Sequence, residues 1–376
     1  MRLKPRILIL TDWFVPGYRA GGPIQSVYNL VVRLSKQVDF LVITGDSDLN
    51  DSEQYEVEAF NVILAQPWGE IIYTTPQKRS IIIRKYINDS AFSKVYLNSL
   101  FSVEFTLRPL LYLILKRSTN RVTLAPRGML GKGALKLKSR KKKAFISLFK
   151  SFGLHHKLAF HSTDVSETRD ISRVFGNRIR VYEVGNIPAN LKYEPKSTKS
   201  EVLNIVFASR ISPKKNLLAA AQYISEAKVK CTLSVYGEME DESYLSKCQA
   251  SFDNTGEMKV KGAVAPHELY EEIRNCDFFI LPTLNENFGH SIIESLSLGV
   301  PVMISDQTPW NDIETFGAGW VTPLTDAKRW KDVLIEANNM SNEEYCSMSK
   351  KAIEYVQTKI DFDVLCDEYL SMFDGK

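Results

Sequence analysis

Two glutamates, Glu286 and Glu294, stand eight residues apart in the segment 284–296, after an apolar run that predicts a buried strand. The first follows that strand in a loop, and the second lies about one turn into the predicted next helix. Both carboxylates accept hydrogen bonds from hydroxyl groups. The residues between them present backbone N–H groups at a helix N-terminus, where a phosphate binds readily. These residues are Asn287, Phe288, Gly289 and His290. Hydroxyl acceptors around a phosphate site suit a nucleotide-sugar.

Two basic residues follow another predicted strand, Asn204–Ser209. Arg210 ends that strand, and Lys215 begins the next helix. A guanidinium binds phosphate as a fork and an ammonium binds it as a point charge. A solvated basic loop is the simpler interpretation. Ligands of doubly wound sheets bind beyond the carboxyl ends of the strands, however, so we expect these cations and the glutamate pair on one face.

A pair of glycines, Gly21 and Gly22, separates the first predicted strand, Arg6–Thr11, from a helix beginning at Ile24. Adjacent glycines allow a phosphate to approach the backbone closely, with the positive end of the helix dipole behind it. An ordinary tight turn is the alternative. The spacing is not GxGxxG, which argues against a nicotinamide cofactor.

Short apolar runs alternate with helical patterns along the whole chain, and this alternation predicts α/β domains with parallel sheets buried on both faces. The predicted strands of the first half are Arg6–Thr11, Val38–Thr44, Val95–Asn98, Val122–Ala125, Leu158–Ser162 and Arg180–Val184. Those of the second half are Asn204–Ser209, Cys231–Tyr236, Met258–Val260, Cys276–Leu281 and Pro301–Ser305. We therefore expect two doubly wound, Rossmann-like domains facing a central cleft.

A polar stretch with two prolines and no periodicity, 188–200, predicts an interdomain linker. It separates a first domain, 1–187, from a second domain, 201–357. The remaining segment, 358–376, is strongly helical. Whether it crosses back to the first domain is open at this stage.

Composition is that of an ordinary globular protein, with 376 residues, 44% of them hydrophobic, and a net charge of +4. The five cysteines contain no CxxC pair, so we expect reduced thiols and no metal site. The N-terminal residues lead directly into a predicted strand, and the longest apolar stretch, Leu107–Leu115, is too short to span a bilayer. A cytoplasmic protein is expected.

The segment 132–150 carries eight basic residues and no acidic one, interleaved with apolar side chains. This pattern is typical of a basic amphipathic helix that docks on an anionic membrane. A solvated helix face is the alternative. A nucleic-acid interface is less favoured, because no recognised binding module accompanies the run.

Together, Arg210, Lys215, the Glu286/Glu294 pair and the Gly21-Gly22 turn resemble glycosyltransferase family 4. The resemblance covers nearly the whole chain and is strongest over 204–312. It implies retaining, metal-independent transferases of the hexosyl type with two Rossmann-like domains, the GT-B fold. No cofactor is implied, since the nucleotide-sugar is a substrate.

The resemblance also implies roles for single residues. Gly22 would offer its backbone N–H to the diphosphate, and Arg210 with Lys215 would neutralise the departing nucleotide. Glu286 would hold hydroxyls of the donor sugar, and Glu294 those of the ribose. Backbone groups of residues 287–290 would line the phosphate and sugar, and Gly237 matches a glycine-rich turn near the nucleotide base.

One departure concerns the position after the strand Val122–Ala125, where many family members have a histidine. This chain has Arg127, which we assign to the cleft, facing a phosphate or an acidic acceptor. A surface arginine in a turn is an equal alternative. His161, at the end of Leu158–Ser162, is the other candidate for the cleft. The alternative is that it has only a structural role.

The sequence therefore predicts a cytoplasmic enzyme, peripheral on the inner face of the cell membrane. It would transfer a sugar to a saccharide hydroxyl, on a lipid-linked precursor of a surface polysaccharide. Three alternatives stay open: an inverting transferase or epimerase, a non-catalytic nucleotide-sugar-binding protein, and, less favoured, a nicotinamide-dependent oxidoreductase. No nucleic-acid partner is expected.

Overall fold

The computed structural model describes residues 4–131, 135, 139–252 and 256–375. The chain divides into two compact units. The first unit comprises the chain up to Ile187 together with the segment from Phe362 onward, and the second unit runs from Pro188 to Asp361. The expected boundaries at 201 and 357 thus differ from this division by 13 residues at one end and four at the other.

Eight described strands form the sheet of the first unit, in the order β3-β4-β2-β1-β5-β6-β7-β8. All neighbours pair in parallel except β3, which is antiparallel to β4. The strands are β1 Arg6–Thr11, β2 Asp39–Thr44, β3 Leu64–Gln66, β4 Gly69–Tyr73, β5 Phe92–Asn98, β6 Val122–Ala125, β7 Ala159–Ser162 and β8 Arg180–Glu183. The central strands are buried on both faces, as expected of a parallel sheet.

Helices cover both faces of this sheet. They are α1 Gly22–Leu34, α2 Pro76–Ile87, α3 Arg108–Leu115, α4 Ser139–Ser151, α5 Val165–Phe175 and, from the C-terminal segment, α13 Phe362–Asp374. Helices α2 to α5 bury their apolar residues in one core. Helices α1 and α13 pack into a second core on the opposite face, where Tyr369 and Phe373 contact Tyr96 or His161. The last helix is therefore part of the first unit.

The second unit holds a sheet of six described strands, all parallel, in the order β11-β10-β9-β12-β13-β14. The strands are β9 Leu203–Ala208, β10 Cys231–Tyr236, β11 Glu257–Gly262, β12 Phe278–Leu281, β13 Val302–Ser305 and β14 Gly319–Thr322. The helices are α6 Leu217–Ala227, α7 Glu242–Ala250, α8 Pro266–Arg274, α9 His290–Ser297, α10 Ile313–Phe316, α11 Ala327–Asn339 and α12 Asn342–Lys359. Two Rossmann-like sheets are confirmed.

The segment 188–200 packs on the second unit and does not stand apart as a linker. Its Lys196 donates from the backbone to Ser349 Oγ at 2.8 Å and from Nζ to Cys276 O at 2.6 Å. Ser200 donates to Asp277 Oδ1 at 3.0 Å. The polar residues that suggested a linker instead donate hydrogen bonds to the second unit.

Three short strands, β3, β4 and β14, escaped the sequence pattern, and two of them, β3 and β14, lie at sheet edges. Each is three to five residues long and two begin with glycine, so their apolar runs are too short to show a period. Among the described residues, no helix combines the length and apolar character needed to cross a membrane.

Candidate functional site

The loop that carries Glu286 is held between two neighbouring elements of the second unit. The backbone N–H of Leu284 donates to Lys214 O at 2.8 Å, and that of Glu286 donates to Gln307 O at 2.9 Å. Thr283 Oγ1 also donates to Lys214 O, at 3.2 Å. These bonds fix the loop after β12 against the loop after β9, as expected where adjacent parallel strands end.

Lys215 and Glu286 form one ion pair. The ammonium lies 2.5 Å from one carboxylate oxygen and 2.6 Å from the other. Their side chains are only 11% and 9% exposed, so the two charges are largely withdrawn from water. Charge-assisted hydrogen bonds of this kind are strong and directional. The arrangement holds a cation and a carboxylate at fixed positions at the carboxyl edge of the sheet.

Glu294 is buried in α9, and its carboxylate accepts a hydrogen bond from Tyr270 OH at 3.3 Å. Burial raises the pKa of this carboxyl to about 7, and the tyrosine offsets only part of that rise. A buried carboxyl that titrates near neutrality is typical of functional sites.

The N-terminus of α9 lies between the two glutamates. Gly289 caps the helix with φ of +78°, a left-handed conformation that favours glycine. A Cβ there would also lie 2.9 Å from Ile292 Cδ1 and 3.0 Å from Glu286 Cγ, so any larger residue would have to displace these side chains. Trp310 Nε1 donates to Phe288 O at 2.5 Å and so fixes the preceding residue. Asn287 and His290 flank this turn, whose first N–H groups point out of the helix end.

Arg210 and Gly237 lie on the same edge, after β9 and β10. Arg210 Nη1 is 2.5 Å from Glu240 Oε1, but both side chains are at least 40% exposed. An exposed pair is worth at most about 1 kcal/mol, so Glu240 holds Arg210 only weakly. Gly237 has φ of +142°, and a Cβ there would lie 2.0 Å from Ser209 O. The glycine therefore permits a close approach of these two turns.

Gly22, in the first unit, is the first residue of α1, and Gly21 caps that helix with φ of +66°. Pro23 has no N–H and Ile24 N donates to Gly21 O at 2.9 Å, so the Gly22 N–H is the one at the start of the helix that suits the role expected of it. Nearby, Asp12 follows β1 and accepts a hydrogen bond from Ser102 Oγ at 2.7 Å. Burial raises the pKa of Asp12.

Arg127 is held by neutral groups beyond the end of β6. Its guanidinium donates to Asn98 Oδ1 at 2.8 Å, Asn186 Oδ1 at 2.7 Å and Tyr96 OH at 2.9 Å. The residue has φ of +55° and is half-buried. It is thus a positioned cation at the sheet edge rather than a mobile surface arginine.

His161 does not line a site; it is fully buried. Its Nε2 donates to Val184 O at 2.9 Å, since a carbonyl only accepts. Its Nδ1 therefore accepts from Tyr96 OH, at 2.6 Å, and Tyr96 accepts from Arg127. The expectation that His161 touches a ligand is wrong, because this chain of hydrogen bonds uses both ring nitrogens to position Arg127.

Burial and the nearby Arg127 charge lower the pKa of His161 to about 3. The unfolded chain binds a proton there at about pH 6.5 and the folded chain does not, so stability is lost as pH falls from 6.5 towards 3. We expect His161→Gln to reduce the slope of unfolding free energy against pH by about 1 kcal/mol per pH unit between pH 6 and 4.5. Urea unfolding at both pH values measures this. His267→Gln, at an exposed position, is the control for replacing a histidine by glutamine.

Sequence reasoning missed the partners that define this geometry: Glu240, Tyr270, Trp310, Asn98, Asn186 and Tyr96. Each lies at least 22 positions along the chain from the residue it contacts. No local spacing signals such contacts. Among the described residues, no three His, Cys, Asp or Glu side chains converge as metal ligands.

Comparison with known proteins shows that most of the second unit is similar to one family. Residues 191–355 match the family described as Glycosyl transferases group 1. The chain is also 21% identical over 193 residues to WcaL of Escherichia coli (strain K12), whose name assigns it to colanic acid biosynthesis as a glycosyltransferase. That match covers 48% of this chain and 48% of the relative, so the chain spans about half the length of the curated relative it matches.

Solved structures share the fold over the full length. Sucrose-phosphate synthase from Thermosynechococcus elongatus superimposes with a TM-score of 0.71 at 14% identity, covering 100% of both chains. Anabaena Alr3699/HepE in complex with UDP-glucose gives a TM-score of 0.69 at 11% identity, covering 99% of this chain and 100% of that one. The chain therefore has the GT-B fold, and its residues 191–355 are similar to group 1 glycosyl transferases.

Proposed function

We propose that this protein is a retaining glycosyltransferase that takes its donor as a nucleotide diphosphate sugar. The observation that carries the proposal is the buried Lys215–Glu286 pair beside the Gly289 turn. The pair fixes a cation suited to a leaving diphosphate directly beside a carboxylate suited to sugar hydroxyls. The similarity to group 1 glycosyl transferases and the UDP-glucose held by the Anabaena protein support this choice of donor.

In the proposed reaction, the bond between the anomeric carbon and the diphosphate oxygen breaks, and its electron pair goes to the diphosphate. The acceptor hydroxyl oxygen forms the new bond, and its proton passes to the departing diphosphate. Arg210, Lys215 and the first N–H groups of α9 stabilise the charge that develops there. Fixed cations would do this without a divalent ion, so we expect transfer without a metal.

The proposed acceptor is a saccharide hydroxyl on a lipid-linked precursor of a surface polysaccharide, and the transferred unit is a hexose. The colanic acid assignment in the name of the E. coli relative supports a polysaccharide acceptor. Such an acceptor would place the enzyme peripherally at the inner face of the cell membrane. Family 4 membership and retention of the anomeric configuration belong to the same proposal.

A screen of nucleotide-sugars tests donor binding. The correct donor at about 100 times its dissociation constant should stabilise the native protein by about 3 kcal/mol and raise its melting temperature. Nuclear magnetic resonance of the product then reports the anomeric configuration. An inverted product would replace the retaining assignment with an inverting one, and failure of every nucleotide-sugar to stabilise the protein would contradict the proposal.

A further inference from the structure

Three helices of the first unit, α2, α3 and α4, contain no acidic residue. Their exposed basic residues, with the two that follow α3, define the basic face. These are Lys78, Arg84, Lys85, Arg108, Lys116, Arg117, Arg140, Lys141, Lys143 and Lys150. Among the described residues, only Arg108 of this set pairs with a carboxylate, that of Glu104 at 2.6 Å. The expected basic segment 132–150 supplies part of the face, while 132–134 and 136–138 lie outside the described residues.

The three helices are neighbours on one side of the sheet. All of them bury apolar residues in the same core. Between α2 and α3, the Arg84 guanidinium lies 5.7 Å from the ring centroid of Tyr112. Beside α4, the ring of Phe101, in the loop that follows β5, lies 5.3 Å from the ring of Phe145 and 5.3 Å from Lys142 Nζ. The exposed basic residues of the three helices therefore lie on one side of the sheet.

Apolar side chains stand exposed among these cations. Ile81 of α2 is 70% exposed, Leu115 of α3 is 82% exposed, and Phe152, directly after α4, is 52% exposed. Leu111 and Leu148 are also exposed. Basic residues interspersed with large apolar side chains fit the boundary between lipid headgroups and acyl chains. A nucleic-acid surface would use the cations but would leave the exposed aliphatic residues without a partner.

We propose that the basic face docks on a bilayer that contains anionic lipid. Each basic residue near such a surface contributes about 1 kcal/mol, or about a fivefold change in partition coefficient. The exposed apolar residues would insert at the boundary between headgroups and acyl chains and so strengthen binding. Docking does not require donor binding or transfer, so its failure and the failure of the proposed reaction are distinguishable.

Co-sedimentation of the full chain with vesicles tests the proposal. Vesicles of phosphatidylcholine with 30% phosphatidylglycerol should bind the protein at least about tenfold more tightly than vesicles of pure phosphatidylcholine, because anionic lipid attracts the basic face. The α2/α3 variant combines Lys78→Gln, Lys85→Gln, Lys116→Gln and Arg117→Asn. Asparagine is chosen at 117 because that residue has φ of +55°. This variant should lose at least tenfold in affinity although the α4 cations remain.

A matched control neutralises four exposed lysines of the second unit, Lys230, Lys247, Lys261 and Lys328, to glutamine. Control and wild type should bind anionic vesicles equally. A second variant, Leu115→Ser with Phe152→Ser, should weaken binding without changing net charge. The proposal is overturned if the α2/α3 variant binds like the control. It is also overturned if the wild type binds duplex RNA but not anionic vesicles.

Discussion

Replacing Lys215 by methionine is expected to lower kcat/KM for the nucleotide-sugar donor by about 100- to 1,000-fold, the loss typical of removing one group that stabilises transition-state charge. Methionine keeps the length of the side chain and removes its charge. The ammonium contacts both oxygens of Glu286 at 2.5 and 2.6 Å, so its position is fixed before the donor arrives. Steady-state kinetics with the donor identified by thermal shift measure the effect. Lys230→Met is the control, because Lys230 is an exposed lysine of the same unit outside this site.

The same substitution leaves Glu286 in a largely buried site without its partner, which destabilises proteins by about 3–5 kcal/mol. A loss of activity through unfolding must therefore be separated from a loss of chemistry. The double variant Lys215→Met/Glu286→Leu removes both charges and should recover most of the stability. It should not recover turnover. If turnover returns with stability, the pair has a structural role only.

Replacing Glu294 by glutamine is expected to weaken donor binding about 10- to 100-fold, the effect of losing hydrogen bonds to a charged acceptor. Turnover at saturating donor should change little, because this residue is proposed to hold the ribose. The raised pKa adds a pH dependence: wild-type affinity for donor should increase from pH 6 to pH 8 as the carboxyl ionises. The variant should show no such increase. Calorimetric titration at both pH values tests this.

Stability should change in the opposite direction. Burial raises the pKa of Glu294 from 4.5 to about 7, so the native state holds a proton that the unfolded chain has released between those values. Stability present below pH 4.5 is therefore lost as pH rises to 7, by on the order of 3 kcal/mol. Glu294→Gln should thus be more stable than wild type at pH 8. A variant that is less stable at pH 8 and binds donor normally would contradict the proposed role.

The fold was predictable because parallel strands such as β9 and β13 are short, continuous apolar runs bounded by turns. The helix that carries Glu294 was predictable because helical patterns follow such strands along the chain. Short strands such as β14 were missed, since four residues that begin with glycine are too few to show a period.

The site was predictable as a set of residue types but not as a set of contacts. The residue types of Lys215 and Glu286 predicted binding of phosphate and of hydroxyl groups, respectively. Nothing in the local sequence showed that the two side chains bind each other across 71 positions. His161 was misread because a histidine at a strand end has the same sequence signal whether it faces a ligand or supports Arg127. Tertiary hydrogen bonding decides that question.

Acceptor-dependent release of nucleoside diphosphate tests the central claim most directly. The purified protein is incubated with its stabilising nucleotide-sugar, with and without lipid-linked saccharides, and the products are quantified by mass spectrometry. Wild type should release nucleoside diphosphate and extend the saccharide by one hexose, and Lys215→Met should do so at least 100-fold more slowly. Donor binding without any release, with every acceptor fraction, would contradict the account and indicate a nucleotide-sugar-binding protein instead.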